Sequence, residues 1–370
     1  MTSANSQFSI FHSLSTPAFL LDVDRVRANC DRMREKARAS GVAFRPHVKT
    51  HKTIEIGRLQ HGGKPGPITV STLAEAEFFA EAGFGDITYA VPIPPEKLAR
   101  AAALAQRIER LNVLVDSERA FRALEASGHV FDVYLKVDCG YHRAGVDPDD
   151  PDSARLALAM RDSASVRFQG LLTHAGHSYH AKNVEEVRGY AAAETDAVSR
   201  FRALLGADDL VRSIGSTPTA SVVDRFVECD EVRPGNYVFF DAFQATIGSC
   251  AMDDVAVSVL TTVVGCYPER NNLVVDAGAL ALSKDTGPDH VDPHFGYGIV
   301  CTLDLQPLPL RLIALSQEHG KIEGDAAHYP VGTQLRIIPN HSCLTAAMYD
   351  SYYALEDGRV AGEWRPVRGW

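Results

Sequence analysis

The sequence predicts an α/β protein, in which a TIM-like (β/α)8 barrel is followed by a mainly antiparallel β domain. From about residue 43 to residue 241, short β-rich runs alternate with longer, alanine-rich segments of helical period. This alternation is typical of βα units around a parallel sheet. After about residue 241 the pattern changes to β-branched runs separated by turns, which is typical of antiparallel strands.

Eight β-rich runs are predicted as the strands of the barrel, because eight parallel strands close into a ring. The predicted strands are 43–48, 68–71, 86–90, 111–115, 133–137, 168–174, 213–215 and 232–239. The helical segments between and before them are 24–39, 73–82, 95–108, 117–126, 151–162 and 184–205. The barrel is therefore expected to occupy residues 16–241.

The second domain is expected to occupy residues 242–370. Its predicted strands are 255–264, 272–275, 299–302, 310–315, 334–338 and 360–364. A further run at 18–21 fits either domain, so residues 1–24 are assigned to the barrel or to the β domain as alternatives.

The composition of the chain limits the kinds of partner that we expect the protein to bind. The 370 residues are 45% hydrophobic, which suffices for a sizeable core. A net charge of −10 disfavours a nucleic-acid-binding face, and no run approaches the length of a membrane span. We therefore expect a cytoplasmic protein without nucleic-acid or membrane partners. The seven scattered cysteines contain no C-x-x-C pair and are expected to be reduced, with Cys343 the one candidate ligand.

The segment Arg45–Lys52 concentrates two lysines and two histidines after an apolar approach. Lys49 falls one residue beyond the first predicted strand, where βα barrels carry their working groups. A lysine amine attacks a carbonyl only when it is unprotonated, and nearby cations such as His47, His51 and Lys52 lower its pKa. The segment thus predicts a lysine nucleophile, although a surface lysine cluster has the same composition.

Two segments at the seventh and eighth predicted strands are rich in glycine and hydroxyl groups. They are residues 213–219 and 233–237. Barrels commonly bind phosphate after these two strands, where glycines allow close backbone approach and amides donate to an anion. Plain turns have a similar composition, so each segment alone is weak evidence for a phosphate site.

The loops after the fifth and sixth predicted strands hold further candidates. Arg143 lies on the same face of the barrel as Lys49, where a guanidinium can bind a ring atom or a carboxylate; a surface salt bridge is the alternative. The histidines His174, His177 and His180 have a spacing of three, but a metal triad there needs a helix through Gly176. A pocket wall is the preferred interpretation of that loop.

His341 and Cys343 are separated by one residue. In an extended segment both side chains point to one side, and the pair suits Zn²⁺ with water or substrate completing the shell. An ordinary histidine near a buried cysteine is the commoner explanation of such spacing.

Motifs along nearly the whole chain resemble one known family. They are Thr16-Pro17-Ala18, the Arg45–Lys52 segment, Ser71-Thr72-Leu73-Ala74-Glu75-Ala76, residues 214–218, Pro234-Gly235-Asn236-Tyr237, Gln317-Glu318-His319-Gly320, His341-Ser342-Cys343 and residues 365–369. In this order they resemble the D-serine dehydratases, within a wider group that includes D-threonine aldolases and 3-hydroxy-D-aspartate enzymes. These proteins belong with alanine racemase among the pyridoxal-phosphate enzymes of fold type III.

The resemblance implies an alanine racemase-type barrel with a C-terminal β domain, and a homodimer with active sites near the interface. It implies pyridoxal 5'-phosphate on Lys49, with the phosphate held by Thr217, Gly235 and Asn236. Tyr179 is implied as a second catalytic or wall residue, and His341 with Cys343 as the metal pair. The full cofactor-binding set expected from these motifs is Lys49, Arg143, Tyr179, Ser216, Thr217, Gly235, Asn236 and Tyr237.

The implied activity is zinc- and pyridoxal-phosphate-dependent conversion of D-serine, with D-threonine as a further candidate, to a 2-oxo acid and ammonia. Related aldolases usually carry an aspartate where this chain has Cys343, and a thiolate favours Zn²⁺ over Mn²⁺ or Mg²⁺. The alternatives are a D-threonine-type aldolase, a D-threo-3-hydroxyaspartate dehydratase, and a pyridoxal-phosphate carrier or regulator without turnover.

Overall fold

The structure, a computed structural model, describes residues 11–370. The part of the N-terminal expectation that concerns residues 1–10 lies outside the described residues. The chain divides into two compact units. The barrel unit is Cys30–Tyr237 with Val367–Trp370, and the β unit is, among the described residues, 11–29 with Val238–Pro366. Within the described residues, no helix combines the length and the apolar character that a membrane span requires.

Strands and helices are numbered here in chain order. The strands are β1 Ala18–Asp22, β2 Ala43–Phe44, β3 Ile68–Val70, β4 Asp86–Pro92, β5 Arg110–Val115, β6 Phe131–Lys136, β7 Val166–Leu172, β8 Val211–Ile214, β9 Glu231–Val232, β10 Val257–Tyr267, β11 Asn272–Val275, β12 Gly298–Cys301, β13 Pro307–Leu315, β14 Gly320–Glu323, β15 Gln334–Pro339, β16 Tyr352–Glu356 and β17 Arg359–Trp364. The α-helices are α1 Val23–Ser40, α2 Ile54–Gln60, α3 Leu73–Glu81, α4 Leu98–Ala105, α5 Glu118–Ala126, α6 Pro151–Asp162, α7 Val184–Leu205, α8 Thr217–Val222, α9 Ala242–Thr246, α10 Ala279–Leu282 and α11 Ser342–Ala347.

The predicted barrel is confirmed. Strands β2 to β9 form one parallel sheet in the order β2-β9-β8-β7-β6-β5-β4-β3. Its two ends meet where His47 and Thr69 form a parallel bridge and the Thr69 amide donates to the Pro46 carbonyl at 2.9 Å. The carboxyl ends of the strands therefore face one end of a closed ring, which is where the loops that carry function lie in such barrels.

The first and last barrel strands are much shorter than predicted. β2 and β9 contain two residues each, and the predictions of 43–48 and 232–239 were too long. Beyond the strands, single backbone hydrogen bonds still join the two segments. The Arg45 amide donates to the Val232 carbonyl, and the His47 amide donates to the Pro234 carbonyl. Because proline has no N–H, Pro46 and Pro234 cannot donate, and the ladder ends there.

Helix α7 has the bounds predicted from its period. Asn183 caps its start by accepting from the Glu186 amide, and Gly206, at φ 58°, ends it in the left-handed region that favours glycine. Its buried side includes Val187, Val198 and Phe201, at spacings that place them on one helical face. The helix therefore covers the barrel with a single apolar stripe.

The β unit is a mainly antiparallel sheet that closes on itself. Six strands form a ring in the order β10-β11-β14-β13-β12-β15, and β15 pairs again with β10. β10 also pairs with β1, which continues the sheet through β16 to β17. A bulge between Val263 and Gly265 bends β10, so that one strand pairs with β1, β15 and β11 in succession. The six predicted strands of this domain are present. β14 and β16 were missed, and β1 pairs within this sheet.

Candidate active site

Lys49 lies in a short 3-10 helix, Val48–Thr50, at the carboxyl end of the barrel strands. His47 caps this helix, because its Nδ1 accepts from the Lys49 amide at 3.3 Å. The other ring nitrogen of His47 lies 3.4 Å from the hydroxyl of Ser71. His47 thus contacts the segments after two strands and holds the backbone of Lys49 in position. Lys49 itself is exposed.

Cations surround this end of the barrel. Burial lowers the pKa of His47 well below its usual range, and Lys49 and Arg233 lower it further. Burial and then Lys49 and Lys136 do the same to the pKa of His174. Both imidazoles are therefore neutral near pH 7, and the positive charges remain on the lysines and arginines.

Lys136, the last residue of β6, was missed by the sequence analysis. Burial first, and then the neighbouring Arg233 and Arg143, lower its pKa to about 7. Burial is the larger cause of this low pKa, and the two arginines add positive charge beside the amine. A charged residue at the carboxyl end of a predicted barrel strand was the signal that could have identified Lys136.

The Thr217 hydroxyl joins the two predicted phosphate segments. It accepts from the Gly235 amide at 3.3 Å and from the Tyr237 amide at 3.2 Å. A hydroxyl has two acceptor positions and one proton, so the proton of Thr217 remains to be donated in another direction. A Cβ at Gly235 would lie 3.1 Å from His47 Cβ, so the glycine lets this loop approach the Lys49 segment.

Ser216 connects the loop after β8 to the loop that carries Tyr179. It caps α8, and its hydroxyl lies 3.0 Å from those of both Thr219 and Ser178. Ser178 and Tyr179 belong to a short 3-10 helix, Gly176–His180. His174 bonds the Gly215 carbonyl through Nδ1 at 2.8 Å rather than joining a histidine triad.

Glu194 is a second residue that the sequence analysis missed. It lies on the buried side of α7. One carboxylate oxygen accepts from the amides of Ala175 and Gly215, at 2.8 and 3.1 Å, and the other accepts from the Thr219 hydroxyl at 3.0 Å. It therefore fixes two loops of the barrel. A carboxylate at a position where the helical period predicts an apolar residue was the signal that could have identified Glu194.

The remaining predicted residues differ in where their side chains lie. The guanidinium of Arg143 is exposed and lies 4.9 Å from the ring of Tyr141. Asn236 is buried in the loop after β9. Tyr237 contributes its amide to this loop, but its fully buried ring packs 6.2 Å from Phe44, inside the barrel unit. Any cofactor contact of Tyr237 therefore has to come from its main chain.

In the β unit, His341 and Cys343 do not lie in an extended segment, and that expectation was wrong. His341 is the N-cap of α11, with extended backbone angles, and Cys343 is the second residue of that helix. The two side chains are nevertheless within hydrogen-bonding reach of each other. The start of a helix, rather than the alternation of a strand, brings the pair together.

Carboxylates surround His341. Its Nδ1 lies 3.0 Å from Asp285 Oδ2. Burial opposes protonation, but the hydrogen bonds with Asp285 and Cys343, and the charge of Asp241, raise the pKa of His341 well above its ordinary value. Asp241 is itself buried and accepts from the amide and hydroxyl of Ser342. This part of the β unit is therefore electronegative.

Within residues 11–370, no group of three or more histidine, cysteine, aspartate or glutamate side chains is arranged to hold a metal ion. The His341 and Cys343 pair thus fits an open site, in which other ligands complete the shell. Asp285 occupies one imidazole nitrogen, as carboxylates do when they orient a metal-binding histidine. The donor set and its negative field suit a soft divalent cation.

Comparisons with known proteins identify the family. The family model "Alanine racemase, N-terminal domain" matches residues 21–242, and the model "Putative serine dehydratase domain" matches residues 256–355. D-serine dehydratase of Dictyostelium discoideum is 39% identical, over 97% of this chain and 98% of its own. The chain belongs to the D-serine dehydratase family. This is a family of lyases whose barrel is of the alanine racemase type.

A second relative is about as similar. D-threo-3-hydroxyaspartate dehydratase of Delftia sp. strain HT23 is 40% identical, over 97% of this chain and 98% of its own. The solved structure of that enzyme has a TM-score of 0.91 at 40% identity, covering 97% of this chain and 99% of that one. Structures of its variants include one with a histidine replaced by alanine, and one with a cysteine replaced by alanine in the metal-free form.

Membership of this family implies pyridoxal phosphate as cofactor. The barrel unit fits that group chemically. It offers an exposed lysine amine, a positive field and, in the loops after β8 and β9, a hydroxyl with a proton to donate. A phosphate needs these features, and a carbonyl needs the amine.

Proposed function

We propose that this protein is a zinc- and pyridoxal-phosphate-dependent dehydratase that converts D-serine to pyruvate and ammonia. The proposal is supported by full-length similarity to D-serine dehydratase together with the His341 and Cys343 pair. In the net reaction, the water lost in elimination is regained in hydrolysis, so the hydroxyl and amino groups leave and a ketone remains.

Lys49 is proposed to hold the cofactor and to remove the proton from Cα of the substrate. When bound, pyridoxal phosphate supplies an electron sink for the negative charge that develops at this carbon. Lys136, Arg143 and Arg233 add positive charge around His47 and His174, the two histidines that Lys49 also approaches. Neutral His47 orients the Lys49 backbone without adding a further charge.

The phosphate is proposed to lie against the loops after β8 and β9. Ser216, Thr217, Gly235 and Asn236 would bind it, and Tyr237 would contribute through its main chain. Glu194 maintains the first of these loops through its bonds to Gly215 and Thr219. Tyr179 follows Ser178, which bonds Ser216, and is proposed to line the cofactor.

His341 and Cys343 are proposed to hold Zn²⁺. Zinc supplies Lewis acidity, which makes hydroxide a better leaving group. Asp285 would keep the His341 ring in orientation through Nδ1. The Delftia variants support this assignment, because they alter a histidine and a cysteine two positions apart, and the cysteine variant is described as metal-free. The spacing of His341 and Cys343 is the same.

D-threo-3-hydroxyaspartate is the alternative substrate. The observation that favours it is that the Delftia enzyme matches this chain as well as the Dictyostelium one does. The additional carboxylate of that substrate requires a cation, and the exposed guanidinium of Arg143 is the candidate in the barrel unit. A homodimer is part of the proposal, and light scattering coupled to size-exclusion chromatography measures it.

The test is product analysis by NMR. Purified protein loaded with zinc and pyridoxal phosphate is incubated separately with D-serine, D-threonine and D-threo-3-hydroxyaspartate. We expect pyruvate with ammonia from D-serine. Oxaloacetate as the strongly preferred product would favour the alternative substrate. Glycine with acetaldehyde from D-threonine would make the protein an aldolase and overturn the proposal. Cofactor binding without any product would indicate a carrier.

A further inference from the structure

A cavity of about 300 Å³ lies in the barrel unit between α7 and the segment from α8 to β9. One side is lined by small side chains of α7, including Ala191, Ala192 and Thr195. The other side includes Val223 and Phe226. The small alanine side chains leave space between α7 and the facing segment. Most of the lining side chains are apolar. The volume is at the lower end of the range of small-molecule sites.

Two arginines, Arg188 and Arg225, lie in the lining of this cavity. Arg188 donates from Nε to the Val222 carbonyl at 3.5 Å, and Arg225 donates from Nη2 to the Ala39 carbonyl at 3.0 Å. Neither arginine forms an ion pair with a carboxylate in the part of the chain that the structure describes. Since a guanidinium carries five N–H groups, most of their donors remain for another acceptor.

The cavity also touches the residues that fix the proposed phosphate loop. Glu194, Gly215 and Thr219 are part of its lining. The Glu194 carboxylate accepts from the Gly215 amide and the Thr219 hydroxyl, on either side of Ser216 and Thr217. A molecule in the cavity would therefore limit the motion of the carboxylate that positions this loop.

We propose that this cavity is a second binding site, which takes a small molecule with an apolar body and one carboxylate. The apolar body packs between α7 and Phe226, and the carboxylate binds Arg188 and Arg225. Glu194 and Glu228 also line the cavity and disfavour an anion, so their charges set an upper limit on affinity. Occupancy favours cofactor binding through Glu194; this coupling rests on the proposed function, whereas the site itself does not.

The probe is hexanoate, compared with hexanamide, which has the same apolar body and no charge. Binding to the full-length protein loaded with pyridoxal phosphate is measured by titration calorimetry and ligand-observed NMR. We expect hexanoate to bind at least tenfold more tightly than hexanamide. The double variant Arg188→Gln/Arg225→Gln should remove that preference, and Glu228→Gln should increase it. Arg119→Gln, an exposed arginine on α5, is the matched control and should change nothing.

Ala192→Phe separates this cavity from the proposed active site. Ala192 is exposed on α7, so the larger ring fills the cavity without entering the core. It should abolish binding of both probes. Failure of hexanoate to bind, or unchanged binding in Ala192→Phe, would overturn the site, and equal binding of both probes would overturn the role of the arginines.

The coupling is measured in both directions. Hexanoate should raise the affinity for pyridoxal phosphate by the same factor by which the cofactor raises the affinity for hexanoate. Glu194→Gln should reduce that factor toward one. Hexanoate binding in a protein that fails to bind pyridoxal phosphate would contradict the proposed function and leave the site standing. Independent binding of the two ligands would overturn the coupling.

Discussion

The two units place their histidines in opposite electrical environments. In the barrel unit, burial and nearby cations lower the pKa of His47 and His174 well below the usual range. In the β unit, Asp285, Cys343 and Asp241 outweigh burial and raise the pKa of His341. The same side chain is thus neutral in one unit and charged in the other.

This difference indicates what each region is suited to bind. A positive field with amide and hydroxyl donors suits an anion such as phosphate. A negative field around an imidazole and a thiol holds a cation, which would displace the proton from both ligands. The predictions below test the two fields separately, from the largest expected effect to the smallest.

The largest effect is expected for Lys49→Ala. Because the amine is proposed both to hold the cofactor and to move the Cα proton, kcat/KM with D-serine should fall by at least ~1000-fold. Borohydride reduction followed by peptide mass spectrometry should no longer find the cofactor attached at position 49. Lys64→Ala, an exposed lysine outside the site, is the control. Retained activity and attachment would exclude Lys49 as the cofactor lysine.

Cys343→Ala should remove the metal while leaving the barrel unit intact. Loss of a thiolate from a two-residue pair should reduce zinc affinity by at least ~100-fold and abolish elimination, with pyridoxal phosphate still bound. Zinc content by mass spectrometry and cofactor absorbance measure the two outcomes. Cys250→Ala, another cysteine that is not fully buried, is the control. Full activity in metal-free protein would refute the role of zinc.

Cys343→Asp sharpens the same comparison. A carboxylate is a harder ligand than a thiolate, so the variant should prefer Mn²⁺ or Mg²⁺ to Zn²⁺ relative to the parent protein. Competition titrations with the three metals measure this change in preference. An unchanged order of affinities would show that Cys343 does not select the metal.

Asp285→Asn should have a smaller effect, because Asp285 positions His341 without binding the metal. Loss of the carboxylate on Nδ1 should reduce zinc affinity by ~10–100-fold. A restoration of activity at high zinc concentration would distinguish this role from a general loss of folding. Asp289→Asn, on the same loop and exposed, should leave zinc affinity unchanged. Equal affinity in Asp285→Asn would remove Asp285 from the site.

The smallest effect, on stability rather than activity, is expected at Lys136. Its pKa in the folded protein is about 7, against an ordinary value of 10.5, so the unfolded chain binds the additional proton between these pH values. Lys136 therefore destabilises the fold most below pH 7, and this cost declines as the pH rises toward 10.5. The stability gained by Lys136→Met should be about 3 kcal/mol smaller at pH 9.5 than at pH 6.5.

Urea unfolding at the two pH values measures this prediction. Lys64→Met, an exposed lysine, should show no such pH dependence. A gain for Lys136→Met that is the same at both pH values would show that burial and the neighbouring arginines do not lower the pKa of Lys136. That result would weaken the contrast between the two units.

Local pattern was sufficient for the long amphipathic helix and insufficient for the shortest strands. Helix α7 was predicted with its observed bounds from its period, and the structure places the Asn183 cap and the Gly206 end at those bounds. β14 and β16 were missed although each pairs with an adjacent strand in the chain, β14 with β13 and β16 with β17. They contain only four and five residues, and Asp357-Gly358 between β16 and β17 was a hairpin signal that was not used. The lengths of β2 and β9 were wrong because Pro46 and Pro234 interrupt the pairing of the two segments with each other.

Residue type and motif order alone selected Lys49, the two phosphate segments, and His341 with Cys343 as candidates, and indicated the family that the comparisons confirm. Only the tertiary structure decided what surrounds them. Glu194, Lys136 and Asp285 reach their partners across long separations in the chain. A pKa or an ion-binding field depends on burial and on charges at close range, and those distances exist only after the strands have paired and the helices have packed.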